Sequence, residues 1–141
     1  MPSIHRHLHT VQPEEIDRLG HVNNLEYLRW MVTAAVGHSE SIGWAEDRCR
    51  EFGGIWVVRS HAVEYLAPAF EGDQITVLTW IHDFKKITSL RKYKVVRSSD
   101  ERILATGQTN WAFINTKNGM LKRIPQELEQ AFGVVTAEQE P

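Results

Sequence analysis

The sequence predicts an α+β fold in which an antiparallel sheet of about five strands wraps around one long central helix. Three observations predict it. A single amphipathic helical pattern begins near Asn23. Four long runs rich in Val, Ile, Trp, Tyr and Thr follow it, separated by turn signals. One apolar helix beside a series of antiparallel strands buries its stripe most economically if the sheet curls around it.

Taken in order, residues 4–11 read as a first strand, broken by Pro13, Glu14 and Glu15. Asn23 is a good N-cap, and Glu26 stands three residues later, the spacing of a capping box. Leu25, Leu28, Met31, Val32, Ala35 and Val36 share one stripe at helical spacing, with Gly37 as the expected stop. A shorter helical segment covers residues 44–52 and ends at Gly53-Gly54. Strands are predicted over 55–66, 75–81, 89–97 and 103–114. Pro68, Glu71-Gly72-Asp73, residues 83–86 and Ser98-Ser99-Asp100 mark the turns, and Asn118-Gly119 is a tight-turn signal. Pro125 opens a short final helix over 126–132. Several strands are apolar on both faces, so a second subunit is expected to cover the outer face of the sheet. Residues 1–135 thus form one domain, and the polar, patternless residues 136–141 are expected to be a flexible tail.

Composition narrows the function. The hydrophobic share of 42% suffices for a real core. A formal net charge of −2 without a basic block argues against nucleic acid as a partner. Cys49 is the single cysteine, which excludes an internal disulfide and a multi-cysteine zinc site. The N-terminus lacks the apolar core of a signal peptide, and no apolar run approaches membrane-spanning length, so a cytoplasmic location is expected.

Chemically capable residues concentrate just ahead of the main helix, in Asp17-Arg18-Leu19-Gly20-His21-Val22-Asn23-Asn24-Leu25-Glu26-Tyr27. Asp17 and His21 lie in the approach loop, and Gly20 permits a tight backbone path. Asn23 and Asn24 stand at the helix N-terminus, where free N–H groups and the positive dipole end favour developing negative charge. A carboxylate beside such a site can attack a carbonyl or activate water.

The pattern Asp-x-x-Gly-His-Val-Asn-Asn-x-x-Tyr resembles the signature of 4-hydroxybenzoyl-CoA thioesterase-like members of the hotdog-fold superfamily, and also the motif of plant-type acyl-ACP thioesterases. The segment from Val63 to Asp73, with Tyr65, Pro68 and Gly72-Asp73, is similar to the family's second-strand signature. The resemblance implies a hotdog fold and hydrolysis of acyl thioesters, with acyl-CoA or an acyl carrier protein thioester as substrate and no cofactor or metal. It implies Asp17 as the catalytic carboxylate, the backbone N–H of Asn24 or Leu25 as the group that polarises the carbonyl, and His21 as a further catalytic candidate. It also implies a homodimer or homotetramer with the site at a subunit interface. The sequence departs from the plant-type pattern at Leu19, where that family has Asn, and at Pro68-Ala69, where it has a Glu-Cys pair.

Plainer roles stand beside these. Asp17 can cap a turn, His21 can shape the loop, and Asn23 can be an N-cap rather than a substrate contact. His5, His7 and His9 alternate on one strand face, which is read as polar and exposed, with metal binding as the minority alternative. Lys85, Lys86 and Arg91 belong to a basic hairpin that either holds CoA phosphates or protects a sheet edge. Glu64 is placed either near the site or on the surface. The rival functions are a non-catalytic acyl-CoA-binding protein and an acyl-thioester dehydratase or hydratase. The Asp-x-Asn-Pro-x-His pattern of the latter is not found.

Overall fold

The computed structural model describes residues 4–141; residues 1–3, part of the N-terminal stretch read above, lie outside the described residues. Five strands form one antiparallel sheet in the order β1-β3-β4-β5-β2, with β1 His5–Thr10, β2 Gly54–Tyr65, β3 Gln74–Phe84, β4 Thr88–Arg97 and β5 Arg102–Asn115. The helix α1 (Asn24–Ser41) crosses one face of it. Two short helices, α2 (Glu46–Glu51) and α3 (Gln126–Phe132), close the far end of that face. The fold class read from the sequence is the one observed, and α3 falls on the residues expected of it.

Period-two alternation builds the core. Ile75, Val77, Thr79 and Ile81 of β3, together with Arg91, Tyr93 and Val95 of β4, point toward the helix side and are buried. α1 presents Tyr27, Trp30, Met31, Ala34, Ala35 and His38 to them. The helix lies close because its contact face is small at Ala34 and Ala35 and because β5 offers Gly107. A Cβ at Gly107 would come within 2.8 Å of Met31 Sδ.

The helix differs from its sequence reading in three respects. The buried face is rotated: Met31 and Ala35 are buried as expected, but Leu25 is 71% and Val36 50% exposed, and the anchors are Tyr27, Trp30 and His38. Those three have polar atoms, which hid them from an apolar pattern; each finds a hydrogen-bond partner inside. Glu26 forms no capping box and pairs instead with Arg29, at 3.2 Å. Gly37 does not stop the helix, which runs on to Ser41. Its missing side chain serves β1, since a Cβ there would lie 3.3 Å from His5 Nε2. Gly43, at φ +80°, takes the turn that follows the helix.

β1 also inverts an expectation. His5, His7 and His9 pair with Thr79, Val77 and Ile75, so they share the inward face of those residues. Leu8 is the exposed one, at 72%. Cross-strand partners point to the same side of a sheet, and β3 therefore dictates the facing of β1.

On the outer face, Leu78 and Trp80 are covered within the chain by Val135 and Ile4. Residues 136–141 include a short 3-10 turn, Ala137–Gln139. Glu140 accepts from Trp80 Nε1 at 3.2 Å and pairs with Lys92 at 3.1 Å, and Lys94 Nζ donates to the Pro141 carbonyl. Part of the face expected to need a second subunit is thus covered by the chain's own C-terminal residues. Among the described residues, no helix is long and apolar enough to cross a membrane.

Candidate active site

The approach loop is a miniature hairpin. Ile16 and Val22 form an antiparallel bridge, Asp17 N–H donates to His21 O at 3.0 Å, and Gly20 N–H donates to Asp17 O at 3.1 Å. Gly20 sits at φ +87°, a left-handed conformation open to glycine that gives the loop its tight path. One Asp17 carboxylate oxygen accepts from Leu19 N–H at 2.8 Å. This half-buried carboxylate is therefore oriented by a local turn and keeps its other oxygen without a hydrogen bond among the described residues. The His21 ring makes no hydrogen bond to it among the described residues; the link between the two residues runs through the backbone.

The helix N-terminus is equally defined. Asn23 Oδ1 accepts from Leu25 N–H at 2.9 Å, and Asn23 O accepts from Glu26 N–H at 2.9 Å. The Asn23 side chain is thus occupied as a cap. The Leu25 amide is spent on it, whereas the Asn24 N–H has no partner among the described residues. An open first-turn amide and a carboxylate on the loop that leads into the same helix are the two kinds of group that chemistry at a carbonyl uses.

Residues missed in the sequence hold these two pieces together. Glu15, read there only as a strand breaker, is buried and accepts from Gln12 N–H at 2.8 Å and Trp30 Nε1–H at 2.7 Å, with His9 Nε2 at 2.7 Å. Its carbonyl accepts from Asn23 N–H at 2.9 Å. Burial opposes its ionisation, but those three side-chain and backbone donors outweigh it and hold the carboxyl below its ordinary range. One acid therefore joins β1, the loop and α1. Nothing in Pro13-Glu14-Glu15 signals this, because its partners come from three separate elements.

The second sequence motif has a clear structural role. Tyr65 OH donates to Asn24 O at 3.0 Å, and Ala69 N–H donates to Tyr27 OH at 2.9 Å. Val22 N–H donates to Ala69 O at 2.9 Å. Asp73 Oδ2 accepts from Phe70 N–H at 2.9 Å and from Arg97 at 3.3 Å, and Gly72 takes φ +85°. The connection between β2 and β3 thus clamps the loop and the first turn of α1.

Other candidate residues lie elsewhere. Glu64 is exposed on β2, and its neighbour Val63 is the one packed on the core, so Glu64 faces away from α1. Lys85 and Lys86 are exposed at the β3–β4 turn, whereas the Asp17 loop lies at the Gln74 end of β3. Eleven residues of strand separate these ends, roughly 35 Å. Arg91 does not join the lysines, because its side chain projects inward and is 3% exposed.

Arg91 belongs to a second polar centre. Its Nη1 donates to Thr79 Oγ1 and to His38 Nδ1, both at 3.0 Å, which leaves the His38 proton on Nε2. Burial, then the charge of Arg91, pushes His38 down to about 3; the His5 ring stacks on it at 5.2 Å. Burial lowers Arg91 to about 10, which leaves it charged at neutral pH. Phe132 lies under the guanidinium, 5.4 Å from Cζ to ring centroid. Among the described residues, no group of three or more His, Cys, Asp and Glu side chains is arranged to hold a metal ion.

The model of the thioesterase-like superfamily matches residues 11–132. The chain is 26% identical over 122 residues to the chloroplastic acyl-(acyl-carrier-protein) hydrolase FATB3 of Cuphea viscosissima; the match covers 82% of this chain but only 29% of that protein. Among solved structures, it superposes on a 1,4-dihydroxy-2-naphthoyl-CoA thioesterase from Synechocystis with a TM-score of 0.84 at 18% identity, over 92% of this chain and 95% of that one. It superposes on the 12:0-ACP thioesterase from Umbellularia californica with a TM-score of 0.81 at 21% identity, over 94% of this chain and 55% of that one. The shared architecture is the hotdog fold. The family match runs from the end of β1 through α3 and takes in the loop, the helix start and their clamp, so the chain belongs to the thioesterase-like superfamily.

Proposed function

We propose that the protein hydrolyses acyl thioesters, with acyl-CoA or an acyl carrier protein thioester as substrate. The observation that carries this reading is the open Asn24 amide at the start of α1, next to a loop built to present Asp17. The thioester carbonyl lies against that helix end, and Asn24 N–H takes up the charge that develops on its oxygen. Asp17 removes a proton from the water that attacks the carbonyl carbon, or attacks that carbon itself to form a mixed anhydride that water then hydrolyses; on either route the C–S bond breaks and the thiolate leaves. His21 shares or relays the proton. Glu15 acts by positioning the loop. No metal or redox group is required for these steps.

The site is proposed to be completed by a second copy of the chain. Among the described residues, β2 is an edge strand of 12 residues, paired only with β5. Leu25, Leu28, Val32 and Val36 form an apolar stripe on α1 that is not fully buried within the chain. Pairing two β2 edges antiparallel would bury both features and run the two helices in opposite directions. It would also bring the Lys85-Lys86 turn of one copy toward the loop end of the other, where the lysines can meet CoA phosphates.

A thiol-release assay over a panel of acyl-CoA and acyl-carrier-protein thioesters tests the reading, with Asp17→Asn and His21→Ala alongside. Asp17→Asn is expected to lower turnover about 100-fold or more while folding normally. Full turnover in that variant, or no thiol release from any substrate by the wild type, overturns the proposal.

A further inference from the structure

Between the C-terminal half of α1, α2 and the sheet lies a cleft of about 400 Å³. It is remote from Asp17: Asn24 and Ala35 are eleven residues apart on α1, roughly 16 Å of helix. Its walls are Trp44, Trp56, Ile81, Phe84, Trp111 and Phe132. This apolar, largely aromatic space is of the size that small molecules occupy.

One buried charged side chain reaches it. Arg91 lines the cleft, is 3% exposed, and has no carboxylate in ion-pair contact among the described residues. Its two hydrogen bonds both use Nη1 and both go to neutral acceptors. Nε and Nη2 have no partner among the described residues, and neither is fully buried. A buried guanidinium with half its fork unused lacks its counter-charge. Glu40, Glu46 and Asp47 also line the cleft, but at its exposed rim, where water screens them.

We propose that this cleft binds an apolar molecule ending in a carboxylate, with the hydrocarbon against the aromatic walls and the carboxylate paired to the free Nε and Nη2 of Arg91. A guanidinium fork matches a carboxylate in two parallel hydrogen bonds, which an alcohol cannot reproduce. The carboxylate arrives either on a free acid or as the far end of an acyl group. The binding site stands whether or not Asp17 performs the hydrolysis proposed above.

Trp44, Trp56 and Trp111 line the cleft, so tryptophan fluorescence reports its occupation. Sub-micellar decanoate and 1-decanol are titrated into the full chain. Decanoate is expected to bind about tenfold or more tightly than decanol in the wild type and in Asp17→Asn, and to lose that advantage in Arg91→Met. Equal affinities for the two ligands in the wild type overturn the proposal, as does unchanged decanoate binding by a folded Arg91→Met. Should Arg91→Met fail to fold, Ser39→Phe, at a partly exposed position of the lining, keeps Arg91 and fills the space. It is expected to weaken both ligands, and unchanged binding would overturn the assignment. The two sources are separated by thiol release from sebacoyl-CoA and decanoyl-CoA. A turnover ratio that depends on Arg91 identifies the acyl group as the carrier of the carboxylate. A ratio independent of Arg91, with decanoate binding that does depend on Arg91, identifies the free acid.

Discussion

Glu15 and His38 are buried polar groups whose protonation is set by their neighbours. Glu15 accepts hydrogen bonds from β1, from the chain before the loop and from α1, and Glu15→Gln replaces an acceptor oxygen with an amide that has donors of its own. A loss of about 2–3 kcal/mol in urea unfolding is expected, with reduced turnover because the Asp17 loop loses its anchor. Unchanged stability in Glu15→Gln would show that the carboxylate does not hold the loop. His38 carries a pH prediction. Folded, it stays neutral down to about pH 3; unfolded, it takes up a proton near 6.5. The unfolded chain therefore binds more protons throughout that window, and stability falls on acidification from about 6.5 toward 3, by at most ~1.4 kcal/mol per pH unit. Burial and neighbouring positive charge depress His5 and His7 as well, which acts in the same direction. The urea midpoint is expected to drop between pH 7 and pH 5, and to drop less in His38→Asn, whose amide oxygen still accepts from Arg91. Parallel pH profiles in the two proteins would refute the assignment.

The elements show how a helix start becomes a site. α1 spends its second amide on the Asn23 cap and leaves its first one open, so the cap both stabilises the helix and selects the free donor. Asn23→Ala is expected to cost about 1 kcal/mol in thermal or urea unfolding, with a larger effect on turnover than on stability, because the loop-to-helix geometry loosens. β2 carries a steric prediction. A Cβ at Gly54 would penetrate the Phe113 ring on the adjacent strand β5. Gly54→Ala is expected to destabilise by about 1–3 kcal/mol through overpacking, and a neutral thermal shift would show that Phe113 can move aside freely. The local geometry of the candidate site was legible at this scale, since Asp17, Gly20, Asn23 and Asn24 are local to one loop and one helix end. The helix facing was not. Apolar spacing points to Leu25, Leu28 and Val36, whereas the sheet accepts Tyr27, Trp30 and His38, whose polar atoms become favourable inside only once their partners are present.

For the whole molecule, the uncovered features lie along one side, at the β2 edge and the α1 stripe. If two copies join there, Leu28→Glu puts a charge into the contact and should shift a dimer toward monomer in sedimentation velocity, with turnover falling in step. A wild-type chain that sediments as a monomer at assay concentrations and remains fully active would rule out a shared site. The sheet also separates the two proposed sites in space. The Asp17 loop sits at the Gln74 end of β3, whereas Arg91 pairs with Ile81 toward the other end, beneath the later turns of α1. The Asp17 loop and the Arg91 cleft are thus reached from opposite ends of the same helix.

By itself the sequence determined the order of elements, the five-stranded architecture around α1, the tight path at Gly20 and the cap at Asn23. Each of these follows from interactions within a few residues: alternation, helical spacing, turn conformation and capping. Only the tertiary structure decided which face of α1 is buried, that the histidines of β1 point inward, that Glu15 anchors the loop, and that Arg91 lies inside rather than among surface lysines. The physical reason is that these are long-range pairings. A polar side chain is buried only if distant segments bring it a hydrogen-bond partner, and that condition appears only when the chain has closed on itself.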